Sequence, residues 1–533
     1  MNRPPRSPRR WRTGAAIALA AVLATTAACG GSTSGAAGSS AASGSGGSAA
    51  ATGPRTGGTA IALTAGEMPS FDPIKLTAIG AGVERAALVM DTLLFHDEVT
   101  DEAKPKLAKS MTSDDAVVWT LTLREGVNFS DGTPLDAEAV KFNLARHTAD
   151  GSTSVAKAML SEVVSYDVVS PLVLKITLAE ADGSFPLALT ASSPAGLIGS
   201  PKALADPDTF ARNPVGAGAF TLQSWTPDDQ MVLVRNPGYW DTGKPYLDGV
   251  TYKVVPDPQT VTDSLVSGQA NLSLVSAGVY PQIDAASSVT RWKLLVGGQA
   301  IAPNASRPAG DERVRRAIFQ TFDPQITSKA MFAGTWDGNL DCIPFATGSP
   351  NCSSENVPHQ DTAAASALIA DWVADGNSPT VSLSFFQSQV QLATYLQTEL
   401  NKTGLDVQLK PLDLPSLLQA YGTGDYDLLI GTTGGGYPNA WSRLYSGSPT
   451  NWTRVTDPEF DAALLQARRG VTADERTQGW QDAVKIMRDK AYVTYFSPAG
   501  VSMASTGINL DTVYPYQGSP MVYLDSAYLT TGS

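Results

Sequence analysis

The chain has 533 residues, 43% of them apolar, with 51 acidic against 38 basic side chains and a formal net charge of −13. That length allows two or three domains with real cores. So acidic a chain repels nucleic acid and anionic lipid, and neither is expected as a partner.

Residues 1–13 carry five arginines (Arg3, Arg6, Arg9, Arg10, Arg12) and no acid, and residues 14–28 form a run of apolar and small side chains that ends at Cys29. A basic region, a short apolar region and a small-residue cleavage site make a secretory signal. The apolar run is shorter than the roughly 20 residues of a spanning helix. Thr26-Ala27-Ala28-Cys29 resembles a lipobox, with Thr26 where an aliphatic residue is usual. The expectation is cleavage ahead of Cys29, lipid on its thiol, and a net charge of about −18 once the five arginines are gone. Residues 30–58 are almost wholly Gly, Ser, Ala and Thr, which bury nothing and form a flexible tether. Its r.m.s. span is roughly 30 Å. No later apolar run approaches the length of a membrane span, so attachment to the membrane is expected through the lipid alone.

The body mixes strands and helices. Thr59–Thr64 reads as a strand, and apolar spacing predicts a helix over 82–94. Residues 117–123 read as a strand leading to a turn at Ser130-Asp131-Gly132. A helix is predicted over 137–146, with Asp136 as its N-cap. Strands follow at 173–178, 231–234 and 250–255, and a helix near 259–267. With no fixed period, this pattern indicates an α/β body and no repeat array.

Besides Cys29 the cysteines are Cys342 and Cys352, in the turn-rich segment DCIPFATGSPNC. In an oxidising compartment they are expected to form a disulfide. A metal site needs more ligands than two thiols, and the histidines are only His96, His147 and His359, in no paired spacing. No metal and no cofactor are therefore expected. The chain lacks G-x-S-x-G, G-x-x-x-x-G-K-[ST] and H-E-x-x-H, so an enzyme is not expected.

Four ordered blocks carry a resemblance. The first is Leu107–Asn143, with Trp119 to Arg124, Gly126-Val127, Phe129 and Asp131-Gly132-Thr133-Pro134-Leu135. The second runs from Asn213 to Phe220, through Trp225 and Arg235-Asn236-Pro237-Gly238-Tyr239-Trp240, to Lys244-Pro245-Tyr246-Leu247-Asp248. The third is Asp311 to Asp323, and the fourth Tyr426-Asp427-Leu428-Leu429 with Tyr437-Pro438. Together, over about residues 58–530, the chain resembles the family 5 extracellular solute-binding proteins, the dipeptide, oligopeptide and nickel binders of ABC importers. Each block also has a structural reading as turns and core, so the blocks speak for the fold more than for the ligand.

The resemblance implies a two-lobed α/β fold of the type II periplasmic-binding-protein kind, with an inserted domain and a ligand cleft between lobes. Lobe I would comprise 59–94, 199–279 and 493–533, the inserted domain 95–198, and lobe II 280–492. It also implies a monomer that closes on its ligand and is read by the permease subunits of an importer. In peptide-binding members, the loop here written Gly431 to Trp441 carries an aspartate just before the tyrosine, which pairs with the peptide's α-ammonium. Here Gly436 stands in that place. An oligopeptide or peptide-like solute remains the leading ligand. A glycoside, opine-like or other small organic molecule is the alternative, and a sensing role without transport is another. Candidate ligand contacts are Glu67, Met68, Asn304, Phe386, Gln387, Thr433, Gly434, Gly435, Gly436, Tyr437 and Trp441. The two aromatics offer faces for stacking, and the glycines offer open backbone N–H groups.

Overall fold

The computed structural model describes residues 54–76, 82–97, 100–332, 335, 342–345, 348–353, 359–511, 513–516 and 519–530. Cys29 and nearly all of the tether lie outside the described residues.

Ten strands form one sheet. In spatial order they are Asp406–Leu412, Thr380–Phe386, Leu428–Thr433, Thr290–Pro303, Thr494–Ser505, Leu272–Val275, Thr59–Thr64, Gly249–Val254, Gln230–Arg235 and Phe220–Thr226. The fourth and fifth strands, Thr290–Pro303 and Thr494–Ser505, are the longest and run antiparallel to each other. Near one end Gly298–Pro303 pairs outward with Leu428–Thr433. Near the other end Ser502–Ser505 pairs with Leu272–Val275. These two strands therefore join the two sides of the sheet.

Strand alternation decides which core each residue joins. Ala300 and Ala302 enter a core with Trp452 and Trp480, while Ile301 enters another with Trp372, Phe385 and Phe496. At the other side of the sheet the helix Val83–Met90 packs with Phe71, Phe210 and Phe220. A separate four-stranded antiparallel sheet, ordered Ala108–Thr112, Val118–Leu123, Val173–Leu178, Val163–Ser170, has its own core around Trp119, Phe129 and Phe185. The helix Ala137–Thr148 covers it, and Asp136 caps that helix by accepting from Ala139 N at 2.9 Å.

Most elements lie within two residues of their sequence-predicted bounds. The exception is the helix expected over 82–94, which stops at Met90. Asp91 leaves helical geometry at φ 62°, because its carboxylate is drawn into tertiary contacts. It accepts from Lys106 Nζ at 2.6 Å and Trp240 Nε1 at 2.9 Å, and Leu94 then starts a new strand. The apolar spacing of Val83 to Leu94 reads as one helix only if that ion network is invisible.

The last turn of Ala137–Thr148 holds His147, buried, with Nδ1 2.6 Å from Ser154 Oγ. Burial, helped by the neighbouring Arg146 charge, pushes its pKa down to about 4. The unfolded chain therefore takes up this proton first as pH falls. Stability from neutral His147 is complete above pH ~6.5 and drains away towards pH ~4, by up to about 3 kcal/mol. Denaturant unfolding of wild type and His147→Gln across this range should show a shallower acid slope in the variant.

Candidate ligand site at the lobe junction

The crossing strands are irregular where they pass between lobes, with register shifts at Leu295/Gly297 and Gln299/Ala300. Gly297 has φ 138°, and a Cβ there would lie 1.7 Å from the carbonyl oxygen of Thr433. Only glycine fits, so the backbone that joins the lobes runs directly against the end of Leu428–Thr433. Thr433 Oγ1 is fixed 2.9 Å from Tyr495 OH on the other crossing strand. Beside it, Gln299 pairs in register with Thr432 and Ser497, and its Oε1 is buried with no hydrogen-bond partner among the described residues. An acceptor left this way costs about 1–3 kcal/mol, which a donor on a ligand would recover.

The glycine loop follows. Gly434 and Gly436 are buried, and Gly435 approaches Phe345 and Pro344. Gly436 has φ 65°, and a Cβ there would lie 2.9 Å from Oδ2 of Asp101. Asp101 belongs to the hairpin formed by Leu94–Asp97 and Glu102–Pro105, outside lobe II. Its Oδ1 lies 3.0 Å from His96 Nε2, and its Oδ2 accepts from Asn351 Nδ2 at 3.0 Å. His96 Nδ1 is in turn 3.0 Å from Ser192 Oγ. Asn351 sits in the turn closed by the Cys342–Cys352 disulfide. That turn is docked on the helix Ala473–Asp489 by Phe345 against Trp480, by Gln481 Nε2 donating to Pro350 O at 2.8 Å, and by Arg488 Nη2 donating to Ile343 O at 3.2 Å.

A second contact across the junction is ionic. Arg468 Nε donates to Asp182 Oδ2 at 2.8 Å, with both side chains almost fully buried. Arg469 pairs with Glu180, and Ser184 N donates to Arg468 O at 3.1 Å. Removing one partner from such a pair strands the other charge, at a typical cost of 3–5 kcal/mol. Burial pushes the Asp182 carboxyl up, against the pull of Arg468. The guanidinium stays charged, and its Cζ lies 5.3 Å from the ring centre of Tyr437 and 4.9 Å from that of Trp441. Burial, and then the Asp182 charge, raise the Tyr437 hydroxyl.

The structure thus brings Thr433, Gly434, Gly435, Gly436, Tyr437 and Trp441 together. The two aromatics are nevertheless buried in the lobe II core, stacked edge to face under Arg468, with Trp441 Nε1 donating to Leu464 O at 2.9 Å. Phe386 and Gln387 end the strand Thr380–Phe386, with Phe386 packed on that core and Gln387 exposed. Glu67 and Met68 follow the lobe I strand Thr59–Thr64. Met68 is buried, and Glu67 accepts from Asp228 N at 2.9 Å. Asn304 stands apart, roughly 20 Å along the strand from the residue that faces Thr433, and its amide donates to Gly424 O and Tyr426 O. Asp101 and Gln299 were not legible as site residues. A positive φ at Asp101 and an unpaired acceptor at Gln299 mark them only once the chain is folded.

A family model described as bacterial extracellular solute-binding proteins, family 5 middle, matches residues 102–454. The chain belongs to family 5 of these proteins. A probable D,D-dipeptide-binding periplasmic protein of Escherichia coli K12 is 27% identical over 434 residues, covering 76% of this chain and 81% of that one. A glutathione-binding protein of Salmonella typhimurium is 28% identical over 333 residues, covering 60% of this chain and 63% of that one, so less than two thirds of its length is matched. Among solved structures, the oligopeptide-binding protein AppA of Bacillus subtilis with a nonapeptide matches at TM-score 0.73 and 20% identity, covering 90% of this chain and all of that one. AgaA from A. tumefacien R10 with agropinic acid matches at 0.74 and 23%, covering 89% and 99%. These structures share the family 5 fold, a type II periplasmic-binding-protein architecture. No described helix is long and apolar enough to cross a membrane, and no cluster of three or more potential metal ligands occurs among the described residues.

An aspartate at 436 is what the resemblance pairs with a peptide amine, yet here it would place a second carboxylate against Asp101 in a left-handed backbone. Gly436→Asp should therefore cost about 1–3 kcal/mol of stability and weaken solute binding. Adding Asp101→Asn should restore part of both, and calorimetry with unfolding curves of the two variants checks it.

Proposed function

We propose that this chain is the extracytoplasmic receptor of an ABC importer, capturing an oligopeptide or peptide-like solute by lobe closure and delivering it to the permease. The observation that carries this reading is the junction itself. Two strands join the lobes, a glycine backbone sits at their crossing, and polar groups from both sides converge on Gly434–Gly436. A solute touching both sides favours the closed arrangement by the contacts it makes only there. The relatives described as a probable D,D-dipeptide-binding protein and a glutathione-binding protein support a peptide-like ligand. The agropinic acid complex of a structural neighbour keeps a non-peptide solute as the second reading.

In this reading, lobe I comprises 59–94, 199–279 and 493–533, the inserted domain 95–198 and lobe II 280–492. Contacts would come from Gln299, Thr433 and the backbone of Gly434–Gly436, with Asp101 as the carboxylate nearest that loop. The protein works as a monomer without cofactor or catalysis, held to the membrane by lipid on Cys29. The tether lets the body reach a permease roughly 30 Å away.

Two measurements test this. With fluorophores on Asp208→Cys in lobe I and Lys402→Cys in lobe II, tri- to pentapeptides at micromolar concentration should raise energy transfer, matching a binding free energy of about −8 kcal/mol. A flat response to peptides together with closure on an opine or glycoside would shift the assignment to the second reading. Cys29→Ser should move the exported protein from the membrane fraction to the medium or periplasm.

A further inference from the structure

On the flank of the junction, the inserted four-stranded unit and lobe II line a pocket of about 330 Å³. This is the lower end of the roughly 300–1,000 Å³ usual for small-molecule sites. Met111, Trp119 and Leu187 give it an apolar wall, and Asp101, Glu102 and Arg476 bring charge to it.

The charges do not cancel. Glu102 is already paired with Lys104. Asp101 is held by the neutral amide of Asn351 and by His96, which leaves lone pairs on both oxygens. Arg476, in the first turns of the helix Ala473–Asp489, donates Nη1 to the carbonyls of Gly470 at 3.1 Å and Val471 at 3.2 Å, and no carboxylate lies within ion-pairing distance of it among the described residues. Burial lowers its affinity for its proton, while Asp101, Glu102, Asp182 and Glu475 act on it only through space. One wall of the pocket thus carries a half-buried guanidinium with no carboxylate in ion-pairing contact among the described residues, and another carries a carboxylate held by an amide and an imidazole. Between them is room for a small molecule with an apolar side.

We propose that this pocket binds a small zwitterion of the α-amino-acid type, with its carboxylate on Arg476, its ammonium on Asp101 and its side chain along the Trp119 wall. A guanidinium suits a carboxylate because it offers parallel N–H donors, and such charge-assisted bonds are the strong ones. The bound molecule would touch the inserted unit through Asp101 and Trp119, and lobe II through Arg476. Its occupancy therefore favours the closed arrangement. The site shares Asp101 with the proposed junction, whose Gly436 that carboxylate abuts, so a solute that puts its own amine on Asp101 competes with it.

Calorimetry of the purified protein with leucine, N-acetylleucine and leucinamide tests the proposal. Leucine should bind, and each analogue, lacking one charge, should bind at least about tenfold more weakly. Arg476→Gln should lose leucine binding by a similar factor, and Arg476→Lys should keep part of it. The wild-type analogue series reads the site even if a variant folds poorly. Equal binding of all three compounds, no binding of leucine, or leucine binding unchanged in Arg476→Gln would each overturn it; the last result would place the amino acid in the main junction.

Discussion

Everything in this molecule hangs on a sheet that belongs to two lobes at once. Its two longest strands, Thr290–Pro303 and Thr494–Ser505, pair with each other; the first also pairs with Leu428–Thr433 near its end, and the second with Leu272–Val275 near its end. Backbone pairing runs along both halves and is interrupted by register shifts at Leu295/Gly297 and Gln299/Ala300. A glycine with φ 138° pressed onto Thr433 fixes how close the loop Gly434–Gly436 comes to the crossing. The position of the candidate site is therefore a consequence of strand pairing and precedes any choice of ligand-contacting side chains.

Around that crossing, opposite sides meet through two kinds of contact with different energetic character. The Asp182–Arg468 pair is buried, and its cost of desolvation is offset only while both partners are present. Arg468 also covers Tyr437 and Trp441, so these aromatics support the clasp from below. The Asp101 contact is different in kind. Its partners are an amide and an imidazole, and it abuts a residue with no side chain. A carboxylate so placed has acceptor capacity left for another donor.

Much of the fold was legible because its signals are local. Thr59–Thr64 and Val173–Leu178 alternate as strands must, and Asp136 caps its helix as the sequence predicts. The crossing strand Thr290–Pro303 was not predicted, because the adjacent Gly297 and Gly298, which lie close against neighbouring chain in the sheet, interrupt any local strand signal. The glycine loop was found for its composition, but its meaning was incomplete. The carboxylate beside Gly436 comes from Asp101, and Asn351, which holds that carboxylate, lies 250 residues further along the chain. Nothing in the local pattern of either residue records such a pairing. Asn304, a candidate ligand contact, instead spends its amide on the carbonyls of Gly424 and Tyr426.

The cystine turn has a consequence for when the protein becomes competent. Asn351 reaches Asp101 from a ring closed between Cys342 and Cys352, ten residues apart, and such closure restricts the open chain by about 2–3 kcal/mol. A reduced chain must order that segment at its own entropic expense before the amide can meet the carboxylate. Oxidation thus acts before the fold is complete: closing the ring lowers the entropic cost of presenting Asn351 to Asp101, so that contact is held most firmly in a compartment that forms disulfides.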